Sequence, residues 1–216
     1  MAKSLNIVFQ GDSITDCGRM REDTAGFCSN QMGPGYPGLI SAQLMCERPD
    51  VDWNFFNRGI SGNRIVDLYA RWKIDTLHLQ PDVLSVMVGI NDTWHEILYR
   101  NGVEVDRYER IFRELLQWTR KELPNCRFIL LEPFMIAPQG DLAQERVLKE
   151  VAARAEAVRK LAAEFDAVLI RTQDLFDEAL KAAPASQWTR DGVHLTTAGH
   201  HLLAKAWLEA AKDLLA

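Results

Sequence analysis

A chain of 216 residues with 47% apolar and 25% charged side chains carries enough apolar surface for one globular domain, read as 1–216, with a sizeable core. Its net charge of -5, with no Lys/Arg cluster interleaved with aromatics, excludes a nucleic-acid surface, and no apolar run is long enough to span a membrane. Met1-Ala2-Lys3-Ser4 leads directly into a strand-like segment, without the apolar region of a signal peptide; Cys17, Cys28, Cys46 and Cys126 form no CxxC pair and have no histidine at ligand spacing. The expectation is a cytoplasmic protein with reduced thiols, no bound metal and no cofactor.

Five segments rich in branched and aromatic residues read as strands: Leu5 to Phe9, Val51 to Phe56, Val83 to Val88, Arg127 to Leu131 and Ala167 to Ile170. The first runs into Gly11-Asp12-Ser13-Ile14-Thr15, which places a serine hydroxyl at the carboxyl end of a strand, and the irregular stretch Thr15 to Gly35 follows. Between the second and third strands, Ile65, Leu68, Tyr69, Trp72, Thr76 and Leu79 recur at helical spacing. Beyond the third, Val105, Tyr108, Ile111, Phe112, Leu115, Thr119 and Leu123 make a second stripe, and Leu148, Val151, Ala152, Ala155, Val158, Ala162 and Phe165 a third. A last helix, capped near Thr196 or Thr197, presents Leu203, Ala206, Trp207, Ala210 and Leu214 to the core.

Alternating strands and helices imply an α/β fold: a three-layer α/β/α sandwich around a five-stranded, mainly parallel sheet with right-handed crossovers. In the flavodoxin-like order 2-1-3-4-5 the first three strands are neighbours, so the loops leaving their carboxyl ends share one edge. Three chemically suggestive loops meet there. Ser13 leaves the first strand; Asn57-Arg58-Gly59-Ile60-Ser61-Gly62-Asn63 leaves the second, where Gly62 can aim a backbone N–H at an anion; Gly89-Ile90-Asn91-Asp92 leaves the third, where Asn91 offers a neutral side-chain donor to an oxyanion. Each segment alone is equally readable as a turn. Near the C-terminus, Trp188-Thr189-Arg190-Asp191-Gly192-Val193-His194-Leu195 supplies an acid and a base three residues apart; Asp191 can fix the tautomer of His194 while its second nitrogen faces Ser13, or the pair can be a cap and a space-filler. His78, His200 and His201 sit less favourably for a base, and His95 stands beside the crevice.

These four blocks, GDSIT, NRGISGN, GIND and DGVH, resemble in residue type and order those of the SGNH or GDSL hydrolases, across nearly the whole chain. The resemblance implies Ser13 as nucleophile, Asp191 and His194 as acid and base, and an oxyanion hole formed by Ser13, Gly62 and Asn91. Leu195 departs from the pattern, since many relatives have proline there. Within the family, GDSITDCGR, Gly35-Tyr36, GINDTW and Ala198-Gly199-His200 look most similar to bacterial acetyl esterases acting on acetylated xylan fragments. That likeness implies a small-molecule ester, probing contacts at Asp12, Tyr36, Trp94 and Trp188, and a homo-oligomer as an open option. The aromatic residues are equally suited to the core or to a subunit contact. A lysophospholipase or thioesterase is the alternative within the family, and a non-catalytic flavodoxin-like binding module the alternative outside it.

Overall fold

The computed structural model describes residues 4–21, 31–138 and 144–215; Cys28, Met1-Ala2-Lys3 and part of the irregular stretch after Thr15 lie outside them. Strands β1 (Ser4–Gly11), β2 (Asp52–Asn57), β3 (Val83–Met87), β4 (Arg127–Leu131) and β5 (Val168–Ile170) form one sheet in the order β2-β1-β3-β4-β5, every neighbouring pair parallel. Alternation of side chains along the central strands feeds two cores. Ile7, Phe9, Met87, Ile129 and Leu131 face one layer, which contains α2 (Tyr36–Glu47) and α9 (Thr197–Leu215). Val8, Leu84, Val86 and Leu130 face the other, built from α3 (Ile65–Asp75), α5 (Val105–Glu122) and α6 (Glu145–Glu164).

Helix faces follow the spacing with small shifts. The core face of α9 uses Leu203, Ala204, Trp207, Ala211 and Leu215, so Ala206, Ala210 and Leu214 lie at its margin; in α6 Val147 is buried while Leu148 is exposed. Trp207 also donates its Nε1–H to Ser85 Oγ at 3.0 Å, satisfying two buried polar groups across the sheet. Further helices, α1 (Ser13–Asp16), α4 (Ile90–Tyr99), α7 (Thr172–Ala182) and α8 (Ala185–Trp188), join α2 as elements the spacing did not reveal.

The carboxyl end of β1 is the most crowded point. A Cβ on Gly11 would lie 2.3 Å from Thr15 Oγ1 and 2.4 Å from the Met87 carbonyl, so the strand can turn into α1 beside β3 only without a side chain there. Gly11→Ala is expected to cost about 1–3 kcal/mol, the usual penalty for forcing one methyl into a filled interior. A lower urea midpoint at unchanged slope checks it.

Candidate active site

Ser13 is the first residue of α1, a single turn held at its start by Asp12, whose Oδ1 accepts the Ile14 N–H at 3.0 Å. The turn closes at Cys17, which adopts a left-handed conformation (φ 40°) and donates its N–H to the Ser13 carbonyl. Its brevity leaves the Ser13 side chain at the crevice edge, where Oγ lies 2.9 Å from His194 Nε2.

The loop between β2 and α3 is held from both sides. Asp16 Oδ2 accepts the Ser61 N–H at 2.9 Å and the Ser61 hydroxyl at 3.0 Å; Asp92, fully buried, accepts the Ile65 N–H at 3.1 Å. Asn57 adds a third tie, donating Nδ2–H to the carbonyls of Thr15 (2.7 Å) and Met32 (2.9 Å) and accepting the Gly59 N–H. Gly62 sits in this held loop at φ +84°, a conformation that favours glycine, and no acceptor among the described residues takes its N–H. Asn91, in the first turn of α4, donates Nδ2–H to the Asn63 carbonyl at 3.1 Å, which fixes the amide beside Gly62.

Asp191 and His194 are joined within one turn. His194 Nδ1 lies 2.6 Å from Asp191 Oδ2, and Asp191 Oδ1 accepts the backbone N–H groups of Val193 (3.0 Å) and His194 (2.8 Å). A carboxylate at Nδ1 keeps the proton of neutral imidazole on that nitrogen, leaving the Nε2 lone pair toward the Ser13 hydroxyl. Gly192, at φ +95°, turns the chain, and its carbonyl accepts the Ile136 N–H at 2.7 Å, which anchors the turn to the segment after β4. Leu195 is buried and pairs with Thr189 in an antiparallel bridge, so the position does not need proline to be held.

Ser13, Gly62, Asn91 and His194 thus line one crevice of about 620 Å³, together with Trp94 and His95. The Trp94 ring lies 5.9 Å from that of His194, and His95 faces Gly62. Three expected contacts are placed elsewhere. Tyr36 is fully buried, its hydroxyl 2.9 Å from Thr15 Oγ1 and its ring stacked on His200, because α2 docks there against α9. Asp12 is equally inaccessible beneath α1. Trp188 packs against the core and donates Nε1–H to the Ala183 carbonyl, outside the crevice lining. The positioning acids Asp16 and Asp92 went unread; their signal was their place beside the motif blocks, with nothing in spacing to reveal partners 27 to 45 residues away.

Burial tends to raise the Asp191 carboxyl, but hydrogen bonds from the His194 ring and from the His194 and Val193 N–H groups outweigh it and hold the group below its ordinary value. Burial pushes Asp12 up to about 7 despite the Ile14 N–H and the nearby His194. His200 is held down to about 4, first by burial and then by Arg190; its Nδ1 accepts the Tyr36 N–H and its Nε2 lies 3.2 Å from Cys17 Sγ. These buried groups give opposite pH slopes. The folded state keeps the Asp12 proton up to about pH 7 while the unfolded state releases it near 3.8, so its contribution is present at low pH and lost as pH rises through 7. His200 takes a proton near 6.5 when unfolded and only near 4 when folded, so stability is lost as pH falls through that window. Stability measured against pH is therefore expected to rise toward neutrality for Asp12→Asn relative to the parent, and to fall less steeply toward pH 4 for His200→Gln; urea titrations at several pH values read both differences.

Comparison with known proteins identifies the family. The model of the GDSL-like lipase/acylhydrolase family matches residues 9–202. The chain is 34% identical over 206 residues to an acetylxylan esterase of Geobacillus stearothermophilus, covering 94% of this chain and 91% of that one. Among solved structures, Axe2, an acetylxylan esterase from the same organism, superposes with a TM-score of 0.85 at 34% identity, covering 97% of this chain and 95% of its own. LAE5, an alpha/beta hydrolase enzyme from the metagenome of Lake Arreo, gives 0.87 at 31% identity, with 99% and 98% covered. The chain therefore belongs to the GDSL-like lipase/acylhydrolase family and is a carboxylic ester hydrolase.

Proposed function

We propose that the protein is a serine esterase that removes acetyl groups from carbohydrate esters such as acetylated xylo-oligosaccharides, through an acyl-serine intermediate. The observation that carries this reading is the unbroken hydrogen-bond path from Ser13 Oγ through His194 to Asp191, opening on a crevice lined by Gly62 and Asn91. As Ser13 Oγ bonds to the ester carbonyl carbon, its proton passes to His194 Nε2 and the carbonyl electrons move onto oxygen. The backbone N–H groups of Ser13 and Gly62 and the Asn91 amide receive that oxyanion. Its collapse breaks the bond to the alcohol, which leaves with the proton from His194. Water then repeats the sequence on the acyl-serine, releasing the acid and returning the proton to Ser13.

The carbohydrate assignment draws on the helix α4. Asn91, Trp94, His95, Leu98 and Tyr99 follow one another at helical spacing and all line the crevice, so this face extends about 12 Å from the oxyanion position. Leu98 and Tyr99 are 52% and 68% exposed. An exposed ring beside polar groups suits the flat apolar face and hydroxyl rim of a pyranose. The acetylxylan esterases of G. stearothermophilus support the same substrate class.

Acetate release should be compared for acetylated xylo-oligosaccharides, a simple aryl acetate and a long-chain aryl ester, with Ser13→Ala as the inactive blank. The highest kcat/KM is expected on the sugar ester; a preference for the long chain would replace this reading by lipid or thioester chemistry. Asn91→Ala is expected to lower kcat by about two to three orders of magnitude, the usual loss for one oxyanion donor. Steady-state kinetics that left kcat near the parent value would remove Asn91 from the oxyanion hole. Tyr99→Ala is expected to raise KM for the oligosaccharide by about 2- to 10-fold, the range for one aromatic contact, without moving KM for the aryl acetate.

A further inference from the structure

The crevice has a charge pattern that neutral sugar binding does not require. Among the described residues that line it there is no aspartate or glutamate, although the chain carries 30 acidic against 25 basic side chains. Its charged lining residue is Arg190, exposed, whose guanidinium has neither an ion pair nor a hydrogen bond among the described residues. The nearby acids are already engaged: Asp16 by Arg21 and Ser61, Asp191 by His194, and Asp12 by burial against the Ile14 N–H. Its field reaches Cys17 and His200 across the crevice mouth and favours the lower pKa at both, against the larger effect of burial at Cys17 and together with burial at His200.

Arg190 also has a defined side. Its backbone N–H donates to the His194 carbonyl at 3.0 Å, so it rides on the same turn as the imidazole. His194 is the group that returns a proton to the departing alcohol, so the alcohol lies on the His194 side of Ser13, in the crevice that Arg190 also lines. A planar cation with free donors at that place matches a carboxylate, which it can bind through two parallel N–H bonds.

We propose that Arg190 is a specificity-determining residue that engages a carboxylate on the alcohol portion of the ester, making the preferred substrate an acidic acetyl ester, such as an acetylated oligosaccharide bearing a uronic acid. The inference rests on the reading of Ser13 as an esterase nucleophile and not on the carbohydrate assignment. A new reaction step is not involved; the carboxylate adds binding beside the departing oxygen.

The test uses 3-carboxyphenyl acetate and its neutral partner 3-carbamoylphenyl acetate, with the parent protein, Arg190→Gln and Arg190→Lys. The readout is the ratio of kcat/KM on the acidic ester to that on the neutral one, which cancels differences common to both. Arg190→Gln is expected to lower this ratio about 5- to 10-fold relative to the parent, as befits one partly solvated charge pair, and Arg190→Lys to restore part of it. In the parent alone, 0.5 M NaCl is expected to lower turnover of the acidic ester several-fold more than that of the neutral one, which keeps the test open if a variant fails to fold. An unchanged ratio in Arg190→Gln, or equal salt sensitivity of the two esters in the parent, overturns the proposal. Turnover of both aryl acetates without acetate release from xylo-oligosaccharides defeats the carbohydrate assignment alone; no turnover of either ester removes the esterase reading, and this inference with it.

Discussion

Close backbone approach at the carboxyl end of β1 is the constraint on which the site depends. Gly11 lets Thr15 and the Met87 carbonyl meet the strand end, and Gly59 plays the same part for the neighbouring loop, where a Cβ would stand 2.4 Å from the Asp16 N. The single turn α1 is thereby wedged between β3 and the segment leaving β2. Only from that position can Ser13 Oγ come within 2.9 Å of an imidazole that lies 181 residues further along the chain. Side chains at either glycine would move the turn by more than a hydrogen bond tolerates.

Buried carboxylates then divide the work of positioning. Asp16 is opposed by burial, but the Ser61 N–H, Arg21 and the Ser61 hydroxyl outweigh it and hold the group below its ordinary value, so a charged acceptor grips the Gly62 loop. Asp92 is raised to about 7 by burial, against the Ile65 N–H and the charge of Arg154, and it grips the start of α3. Between these two attachments Gly62 has little freedom, and Arg71 tightens the same loop by donating to Asn63 Oδ1 at 2.8 Å and to the Arg58 carbonyl at 2.9 Å. Donors fixed before substrate arrives need no reorganisation when charge develops on an oxygen, which is where most of the advantage of an oxyanion hole lies.

Strand order and motif placement were legible because both follow from short-range pattern: apolar runs of strand length, and glycine or asparagine where a strand ends. Helices α2, α4 and α7 were not. In α2 the buried face of Tyr36, Pro37, Ile40 and Leu44 also carries the polar Ser41, while the apolar Ala42 and Met45 are exposed on the other side, so no stripe stands out. The residues of α4 read as a turn because the Asn91-Asp92 pair has turn chemistry, yet Asp92 spends its carboxylate on Ile65 and leaves the helix to propagate. Tyr36 and Trp188 were expected at the crevice from proximity to motif blocks. The full burial of Tyr36 and the half-buried packing of Trp188 follow from the packing of α2 and α8 against α9, which no local pattern encodes.

The same local logic accounts for how a chain of net charge -5 can present a cationic crevice. At physiological salt the Debye length is about 8 Å, so distant surface carboxylates are screened while a guanidinium at the mouth is not. Asp12, Asp16 and Asp92 are turned inward, each accepting backbone N–H groups, and Asp191, though exposed, is engaged by the His194 ring and by backbone N–H groups, so none of the four lines the crevice. Arg190, on the turn that carries Asp191 and His194, is left facing solvent with no side-chain partner among the described residues. Positioning by buried carboxylates and the selection proposed for Arg190 are therefore two consequences of one arrangement: the negative groups nearest Ser13 are engaged within the protein itself.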